Sequence, residues 1–286
     1  MRPYVITTDS SADLENSYLK EHQIGVVSLN CLMDGEIYNE ENPLPVKEFY
    51  ARIRAGAMPT TAQVNPEQAR ALFEPYVKEG TDVLHLAFSS GLSGSCQSAV
   101  IAANELMEEY PDSRIVVVDT LLAAMGQGLL VYRAVQKKEA GMPLDELAQW
   151  CEVNKMKIAS YVTVDDLNHL YRGGRISRSS AVLGSMVGIK PVIRINDEGK
   201  LEVIGKARGR KKAVQTIIEK LMDLIQDGEK TVFISHGDCL EEAEAIRDTL
   251  MEKYGVEETM INFVGPVVGA HTGAGVLAVF AMAKSR

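Results

Sequence analysis

A run of small and hydroxyl-bearing residues, SSGLSGS at Ser89–Ser95, separates an apolar stretch from a helical pattern. A strand-to-helix turn of this kind exposes the unpaired N–H groups of the first helical turn. Glycine lets a ligand approach the backbone closely, serine adds hydroxyl donors, and the helix N-terminus adds a positive field. The stretch therefore favours a site for a carboxylate or a phosphate. The alternative is an ordinary helix start, with Ser93 or Ser95 as the N-cap residue.

Ser93 also invites comparison with a catalytic nucleophile. The sequence GLSGS begins like the G-x-S-x-G elbow of hydrolases, but its last position is Ser95 instead of glycine. Asp238 and His271 lie downstream without forming an unambiguous Asp-then-His pair. A serine esterase is therefore an alternative hypothesis. The chain has neither G-x-x-x-x-G-K-[ST] nor a G-x-G-x-x-G that opens a helix, so no nucleotide site of its own is predicted.

Histidine and arginine occur beside glycine at two further places. His271 lies in GAHTGAGV at Gly269–Val276, which is predicted to be a loop, and an imidazole among hydroxyls there can donate a hydrogen bond to an anion or transfer a proton near neutral pH. His236, in ISHGD, is a second histidine candidate. Arg172 and Arg175 flank two glycines, an arrangement that suits phosphate or carboxylate recognition. The alternative there is a helix C-terminus capped by glycine, with solvated arginines.

Two more polar loops follow apolar runs, TTDSSAD at Thr7–Asp13 and MPTTAQVNP at Met58–Pro66. Ligands of open parallel sheets gather outside the carboxyl ends of the strands, where both TTDSSAD and SSGLSGS are expected. Ser10 and Ser11, together with Thr272, are therefore candidates for an additional ligand loop.

The elements that must position these residues differ between the two halves of the chain. The first half alternates apolar, β-branched runs with helical patterns, which is typical of a parallel sheet covered on both faces. The second half contains an antiparallel hairpin about NDEG, a helix over 179–188, and further strands and helices. We predict an α/β protein with a mainly parallel α/β/α N-terminal domain (1–155) and an α+β mixed-sheet C-terminal domain (156–286). A ligand is expected in the cleft between them.

The composition limits the class of protein. Hydrophobic residues make up 46% of the 286 residues, which favours a full core over disorder. No apolar run reaches the roughly 18 residues of a membrane span, and the N-terminus does not resemble a signal peptide, so a cytoplasmic location is expected. The four cysteines lie far apart, which argues against disulfides and a zinc site.

The net charge of -9 argues against general binding to nucleic acid. The charge is nevertheless uneven, because Tyr171–Gln215 contains 11 basic residues and 3 acidic ones. This basic segment is either an anion site, a docking face for an acidic partner, or a solvated surface.

Five motifs occur in one order along the chain, namely TDSSADL, PTTAQ, SSGLSGS, DLNHLYRGGRI and HTGAG. In this combination the chain resembles the DegV family, the fatty-acid-binding proteins of bacterial fatty acid kinase, over nearly its whole length. The resemblance implies two α/β domains with a long-chain fatty acid in a buried apolar tunnel between them. It further implies a separate ATP-dependent kinase subunit that converts the bound carboxylate to an acyl phosphate. The chain itself is then expected to have no catalytic residue, cofactor or metal.

The resemblance also implies roles for individual residues. The fatty-acid carboxylate is expected to meet Thr61, Ser93 and His271, with the backbone of Gly94 nearby. Arg172, with Arg175 close by, is expected at the phosphotransfer or docking surface, and the basic segment would face the kinase.

The chain departs from the usual family pattern at several places in these motifs, and two of these departures are alanines. Ala62 stands where serine often follows PTT, and Ala274 stands where proline is usual in HTGPG. Neither change removes an expected carboxylate contact, but both bear on head-group geometry and acyl-chain preference. A stand-alone lipid-binding carrier or sensor, unrelated to any kinase, remains the second hypothesis.

Overall fold

Two β-sheets with a helix packed between them organise the chain, and a computed structural model describes residues 2–165, 167–177 and 188–286. The strands are β1 (Tyr4–Asp9), β2 (Gly25–Val27), β3 (Asn30–Met33), β4 (Glu36–Tyr38), β5 (Thr60–Ala62), β6 (Asp82–Ala87), β7 (Ile115–Asp119), β8 (Ile158–Thr163), β9 (Ile189–Ile195), β10 (Leu201–Arg208), β11 (Thr231–His236), β12 (Glu258–Phe263) and β13 (Leu277–Met282). The helices are α1 (Asn16–Glu21), α2 (Val46–Arg54), α3 (Pro66–Lys78), α4 (Ser95–Glu109), α5 (Ala124–Glu139), α6 (Leu144–Asn154), α7 (Asn168–Arg172), α8 (Arg210–Leu224), α9 (Leu240–Tyr254) and α10 (Pro266–Thr272).

The first sheet has the order β2-β1-β6-β7, and all of its strands are parallel. Every residue of β6 is buried, as expected of a strand covered on both faces. The carboxyl ends of β1 and β6 are adjacent, since Thr8 pairs with Leu86. The loops after these two strands, TTDSSAD and SSGLSGS, therefore share one edge of the sheet, as the sequence predicted.

The second sheet has the order β10-β9-β8-β13-β11-β12. Only the pairing of β11 with β12 is parallel, and the remaining pairings are antiparallel. The predicted hairpin about NDEG is confirmed as β9 and β10. The predicted fold class is thus confirmed, with a parallel sheet in the first half and a mixed sheet in the second.

Helix α5 packs against strands of both sheets. The core around it joins Leu84 and Leu86 of the first sheet to Ile158 and Phe280 of the second. Because one apolar core spans both sheets, the two halves of the chain are closely associated. The domain boundary at residue 155 stays a prediction.

A small antiparallel sheet, β4-β3-β5, was not expected from the sequence. The single apolar run IGVVSLNCLMDG forms two strands, β2 in the parallel sheet and β3 in this small sheet. The helix expected over 179–188 lies, except for Gly188, outside the described residues. Among the helices that are described, none is long and apolar enough to cross a membrane.

Candidate functional site

Thr61 and His271 meet across the two halves of the chain. Thr61 lies in β5, where it pairs with Cys31, and His271 lies in the last turn of α10. Pro266 at the first turn and Gly273, at φ 76° beyond the last residue, delimit this short helix. Thr61 Oγ1 and His271 Nε2 are 2.8 Å apart. The sequence predicted a loop for His271, but the residue lies in this short helix, which begins at Pro266 and ends before Gly273.

The imidazole of His271 is largely enclosed. Burial, and after it the charges of Arg175 and His169, lowers the pKa of His271 to about 4, so the ring is neutral near pH 7. Within the described part of the chain, Nδ1 has no hydrogen-bond partner. An unpaired acceptor is tolerated better in a protein interior than an unpaired N–H, so we assign the proton to Nε2, which faces Thr61.

Gly173, in the RGGR motif, lies against the other edge of this ring. A Cβ atom added at Gly173 would lie 2.0 Å from His271 Nδ1. The backbone of Gly173 is in the right-handed helical region, at φ -70° and ψ -8°, so its conformation alone does not require glycine. Close approach of the imidazole therefore explains the first glycine of this motif.

Ser93 lies just before α4, and the expectation that Ser93 or Ser95 is its N-cap was wrong. The N-cap residue is Gly94, without a side-chain cap, and Ser95 is the first helical residue. Ser95 is instead engaged elsewhere, because its Oγ accepts a hydrogen bond from Val64 N at 3.1 Å and lies 2.9 Å from Ser93 Oγ. Ser93 is thus tethered near the strand that bears Thr61.

The second half of the chain holds the loop that carries Ser93. Ser89 Oγ donates to the carbonyl of Gly199, in the turn between β9 and β10, at 2.7 Å. Arg175 Nε donates to the carbonyl of Leu92 at 3.2 Å. Both contacts come from residues more than 80 positions away, so the position of Ser93 depends on the packing of the two halves.

Gly94 lies against the side chain of Gln63, the last residue of PTTAQ. A Cβ atom at Gly94 would lie 2.3 Å from Gln63 Oε1, so a larger residue at this position would displace the glutamine. Gln63 faces the same cavity as Thr61 but was not among the expected site residues. Its place in a motif beside Thr61 was the signal that could have identified it.

A cavity of about 830 Å³, counting all space between the protein atoms and including a part open to solvent, lies between the two sheets. The polar residues that line it are Thr61, Gln63, Ser93, Arg175, His271 and Thr272. Its remaining lining is apolar and comes from both halves, including Phe88, Ala124, Val162, Val268 and Phe280.

The two arginines of the RGGR motif have different places. Arg175 lines the cavity and is partly buried, and this burial lowers its pKa. Arg172 is exposed, and its guanidinium contacts Met58 Sδ and lies 2.9 Å from His169 Nδ1. Arg172 therefore lies beside His169 and is not part of the cavity lining.

The additional ligand loop is not assembled as expected. Thr272 lines the cavity, although its Oγ1 donates to Val268 O at 3.1 Å. Ser10 and Ser11 do not line it. Ser10 Oγ accepts from the backbone N–H of Leu29, and Ser11 Oγ donates to Gln127 Oε1. The hydroxyls of these two serines therefore stabilise the loop after β1.

His236, the second histidine candidate, does not line the cavity, and its contacts are those of a structural residue. It is buried, its Nδ1 accepts from the backbone N–H of Cys239 at 3.3 Å, and burial lowers its pKa. Among the described residues of the basic segment, five cations have acidic partners within the chain, which reduces the free positive charge of this surface. These pairs are Lys190–Asp165, Arg194–Glu202, Lys200–Glu198, Arg210–Glu242 and Lys212–Glu219. The described residues contain no cluster of three or more His, Cys, Asp or Glu side chains that could hold a metal ion.

The model of the DegV family, a family of uncharacterised proteins, matches residues 3–284. The chain belongs to the DegV family. A DegV domain-containing protein of Clostridium perfringens is 46% identical over 289 residues, which cover 100% of this chain and 99% of that protein.

Solved structures of DegV family proteins match the whole fold. A fatty-acid-binding DegV family protein from Thermus thermophilus has 32% identity and a TM-score of 0.87, with coverage of 99% of this chain and 100% of that one. A stearic-acid-binding protein from Eubacterium ventriosum has 26% identity and a TM-score of 0.88, with 98% of each chain covered. The family assignment made from the five motifs is thereby confirmed.

Proposed function

We propose that this protein binds a long-chain fatty acid in the cavity between its sheets, with the carboxylate at Thr61, Ser93 and His271. The observation that carries the proposal is a mostly apolar lining that includes hydroxyl and imidazole groups, with Thr61 and His271 in contact. Burial of an acyl chain contributes about 0.8 kcal/mol per methylene, which supplies affinity but no orientation. The fatty acids bound by the relatives from Thermus thermophilus and Eubacterium ventriosum support the same ligand class.

The polar end of the cavity orients the ligand, because a buried carboxylate is costly unless it is hydrogen-bonded. The hydroxyls of Thr61 and Ser93 and the Nε2–H of His271 are the donors for its two oxygens. The partly buried guanidinium of Arg175 lines the same cavity and adds positive charge. Gly94 lies at the start of α4, where the unpaired N–H groups of the first turn favour an anion.

We further propose that the bound carboxylate is presented to a separate ATP-dependent kinase subunit. In that reaction a carboxylate oxygen attacks the γ-phosphorus of ATP, so that an acyl phosphate forms and ADP leaves. The sequence has no nucleotide motif, which is consistent with ATP being held by the partner. Arg172, which is exposed and lies beside His169, is a residue that such a partner would contact.

The contacts of Ser93 argue against a serine esterase. Among the described residues, the Ser93 hydroxyl bonds to Ser95, whereas the imidazole of His271 bonds to Thr61. A nucleophilic serine needs a base within hydrogen-bond reach, and this arrangement provides none for Ser93.

Fatty-acid binding by purified variants tests the proposal. We expect Ser93→Ala and His271→Ala to weaken binding of a long-chain fatty acid, measured by titration calorimetry, while the fold survives. Ser17→Ala and His22→Ala are matched controls, because Ser17 and His22 bond to Glu15 and Glu139 away from the cavity. Unchanged affinity in both site variants would contradict the carboxylate assignment.

Turnover with a cognate kinase subunit and ATP tests the second step. The acyl phosphate is trapped with hydroxylamine as a hydroxamate, which mass spectrometry identifies. A protein that binds fatty acid tightly but supports no acyl phosphate with any kinase subunit of its own organism would be a stand-alone carrier.

A further inference from the structure

One peptide group of the second half is held on both sides by side chains of the first half. The hydroxyl of Tyr50, in α2, donates to the carbonyl of Val264 at 2.6 Å. The N–H of the next residue, Gly265, donates to Asp13 Oδ1 at 3.0 Å. The carbonyl and the N–H of the Val264–Gly265 peptide are thus both bonded to N-terminal side chains. We call Asp13 and Tyr50 the peptide clamp.

The clamped peptide is where helix α10 begins. Gly265 is the N-cap residue of α10, and Pro266 is its first residue. His271 follows within the same seven-residue helix, about 9 Å along its axis at 1.5 Å per residue. Because a helix of this length moves as a rigid unit, the orientation of its first peptide determines where the imidazole lies.

The contacts around the clamp are close and buried. Asp13 is 8% exposed and Tyr50 is fully buried. Asp13 also accepts a hydrogen bond on its backbone carbonyl, from Asn262 Nδ2 at 2.8 Å. A Cβ atom at Gly265 would lie 2.7 Å from Asp13 Oδ1, and one at Gly269 would lie 2.8 Å from the Tyr50 hydroxyl oxygen. Two glycines of this region thus permit the approach of the clamp.

We propose that Asp13 and Tyr50 are positioning residues for His271, which they hold against Thr61 by clamping the Val264–Gly265 peptide. The inference rests on the proposed function, since His271 is a carboxylate contact only there. It gives a role to Asp13 of the TDSSAD motif, whose serines do not line the cavity. Thr61 and the clamp both belong to the first half of the chain. The clamp therefore fixes the imidazole of His271 relative to Thr61.

Four variants test the clamp. Tyr50→Phe removes one hydroxyl, and Asp13→Ala removes the acceptor for Gly265, whereas Asp13→Asn retains an acceptor oxygen. Tyr4→Phe is the matched control, because the Tyr4 hydroxyl donates to the carbonyl of Met142 at 2.7 Å within the first half of the chain. The readouts are the pKa of the His271 imidazole, followed by NMR in the unliganded protein, and the Kd of a long-chain fatty acid.

Tyr50→Phe and Asp13→Ala are expected to raise the His271 pKa from about 4 toward the ordinary histidine value, because a displaced ring is less enclosed. The same variants are expected to weaken fatty-acid binding about tenfold. This is the loss expected when one buried hydrogen bond, here between His271 and the carboxylate, is no longer made. Asp13→Asn and Tyr4→Phe are expected to keep both the pKa and the Kd of the wild type.

An unchanged His271 pKa in Tyr50→Phe and Asp13→Ala, even with a lower melting temperature, would overturn the inference, because the clamp would then serve stability alone. A change in Asp13→Asn as large as in Asp13→Ala would overturn the role given to the carboxylate oxygen. The pKa of the His271 imidazole is measured in the unliganded protein. If the wild type bound no fatty acid, the proposed function would be refuted, but the pKa measurements would still show whether the clamp positions His271.

Discussion

Gly173→Ala is expected to disturb the site through a single contact. The added Cβ would lie 2.0 Å from His271 Nδ1, whereas carbon atoms at rest lie about 3.5–4 Å from their neighbours. The imidazole must therefore move by about 1.5 Å, which breaks its 2.8 Å contact with Thr61. Loss of this buried bond, with the strain of overpacking, is expected to cost about 1–3 kcal/mol in the free energy of unfolding.

The same change is expected to weaken fatty-acid binding by about tenfold or more, since about 1.4 kcal/mol corresponds to a factor of ten. The backbone contributes no loss, because the conformation of Gly173 suits alanine. Urea unfolding gives the stability, and titration calorimetry with a long-chain fatty acid gives the affinity.

A double-mutant cycle separates this mechanism from a general loss of stability. In a His271→Ala background the obstructing ring is absent, so Gly173→Ala is expected to change stability by no more than about 0.5 kcal/mol. Gly205→Ala is the matched control, because the nearest atom to its new Cβ is 4.0 Å away. An equal loss from Gly173→Ala in both backgrounds, or no loss in the wild type, would refute the reasoning.

The remaining predictions concern pH, the kinase-facing surface and the hairpin contact. Because the folded pKa of His271 is about 4 and the unfolded value is about 6.5, the free energy of unfolding should fall by up to about 3 kcal/mol as the pH drops from 6.5 to 4. Urea titrations should show this component absent in His271→Gln, and an identical pH profile would contradict the low pKa. Arg172→Glu is expected to leave the fatty-acid Kd unchanged and to abolish most acyl-phosphate formation with the kinase, whereas full turnover would exclude Arg172 from docking. Ser89→Ala removes the bond to Gly199 and is expected to weaken fatty-acid binding several-fold. Unchanged binding would show that Ser93 does not depend on the hairpin.

The elements with strong local signals could be predicted from the sequence. Near-continuous apolar strands specified the parallel sheet, and the NDEG turn specified the hairpin of β9 and β10. The split of IGVVSLNCLMDG into β2 and β3 could not be seen, because an apolar run does not say which sheet its residues join. Helix α10 was missed because it has only seven residues and contains three β-branched residues and a glycine.

The site followed a similar division. Motif resemblance supplied Thr61, Ser93 and His271, and the structure places Thr61 and His271 in contact. The contacts that hold these residues in place could not be predicted from the sequence. The hydrogen bond from Ser89 to Gly199 joins residues 110 positions apart, and the one from Gly265 to Asp13 joins residues 252 positions apart. Such contacts depend on how the two halves pack, which no local pattern encodes. For the same reason, the sequence could not separate Arg175, which lines the cavity, from exposed Arg172.

A crystal structure with a long-chain fatty acid bound tests most directly whether this cavity holds a fatty acid by its carboxylate. We expect the acyl chain between the two sheets, with carboxylate oxygens within hydrogen-bond distance of Thr61 Oγ1, Ser93 Oγ and His271 Nε2. A fatty acid bound in the reverse direction, with its methyl end at His271, would contradict the carboxylate site, and a fatty acid bound outside this cavity would contradict the proposed function.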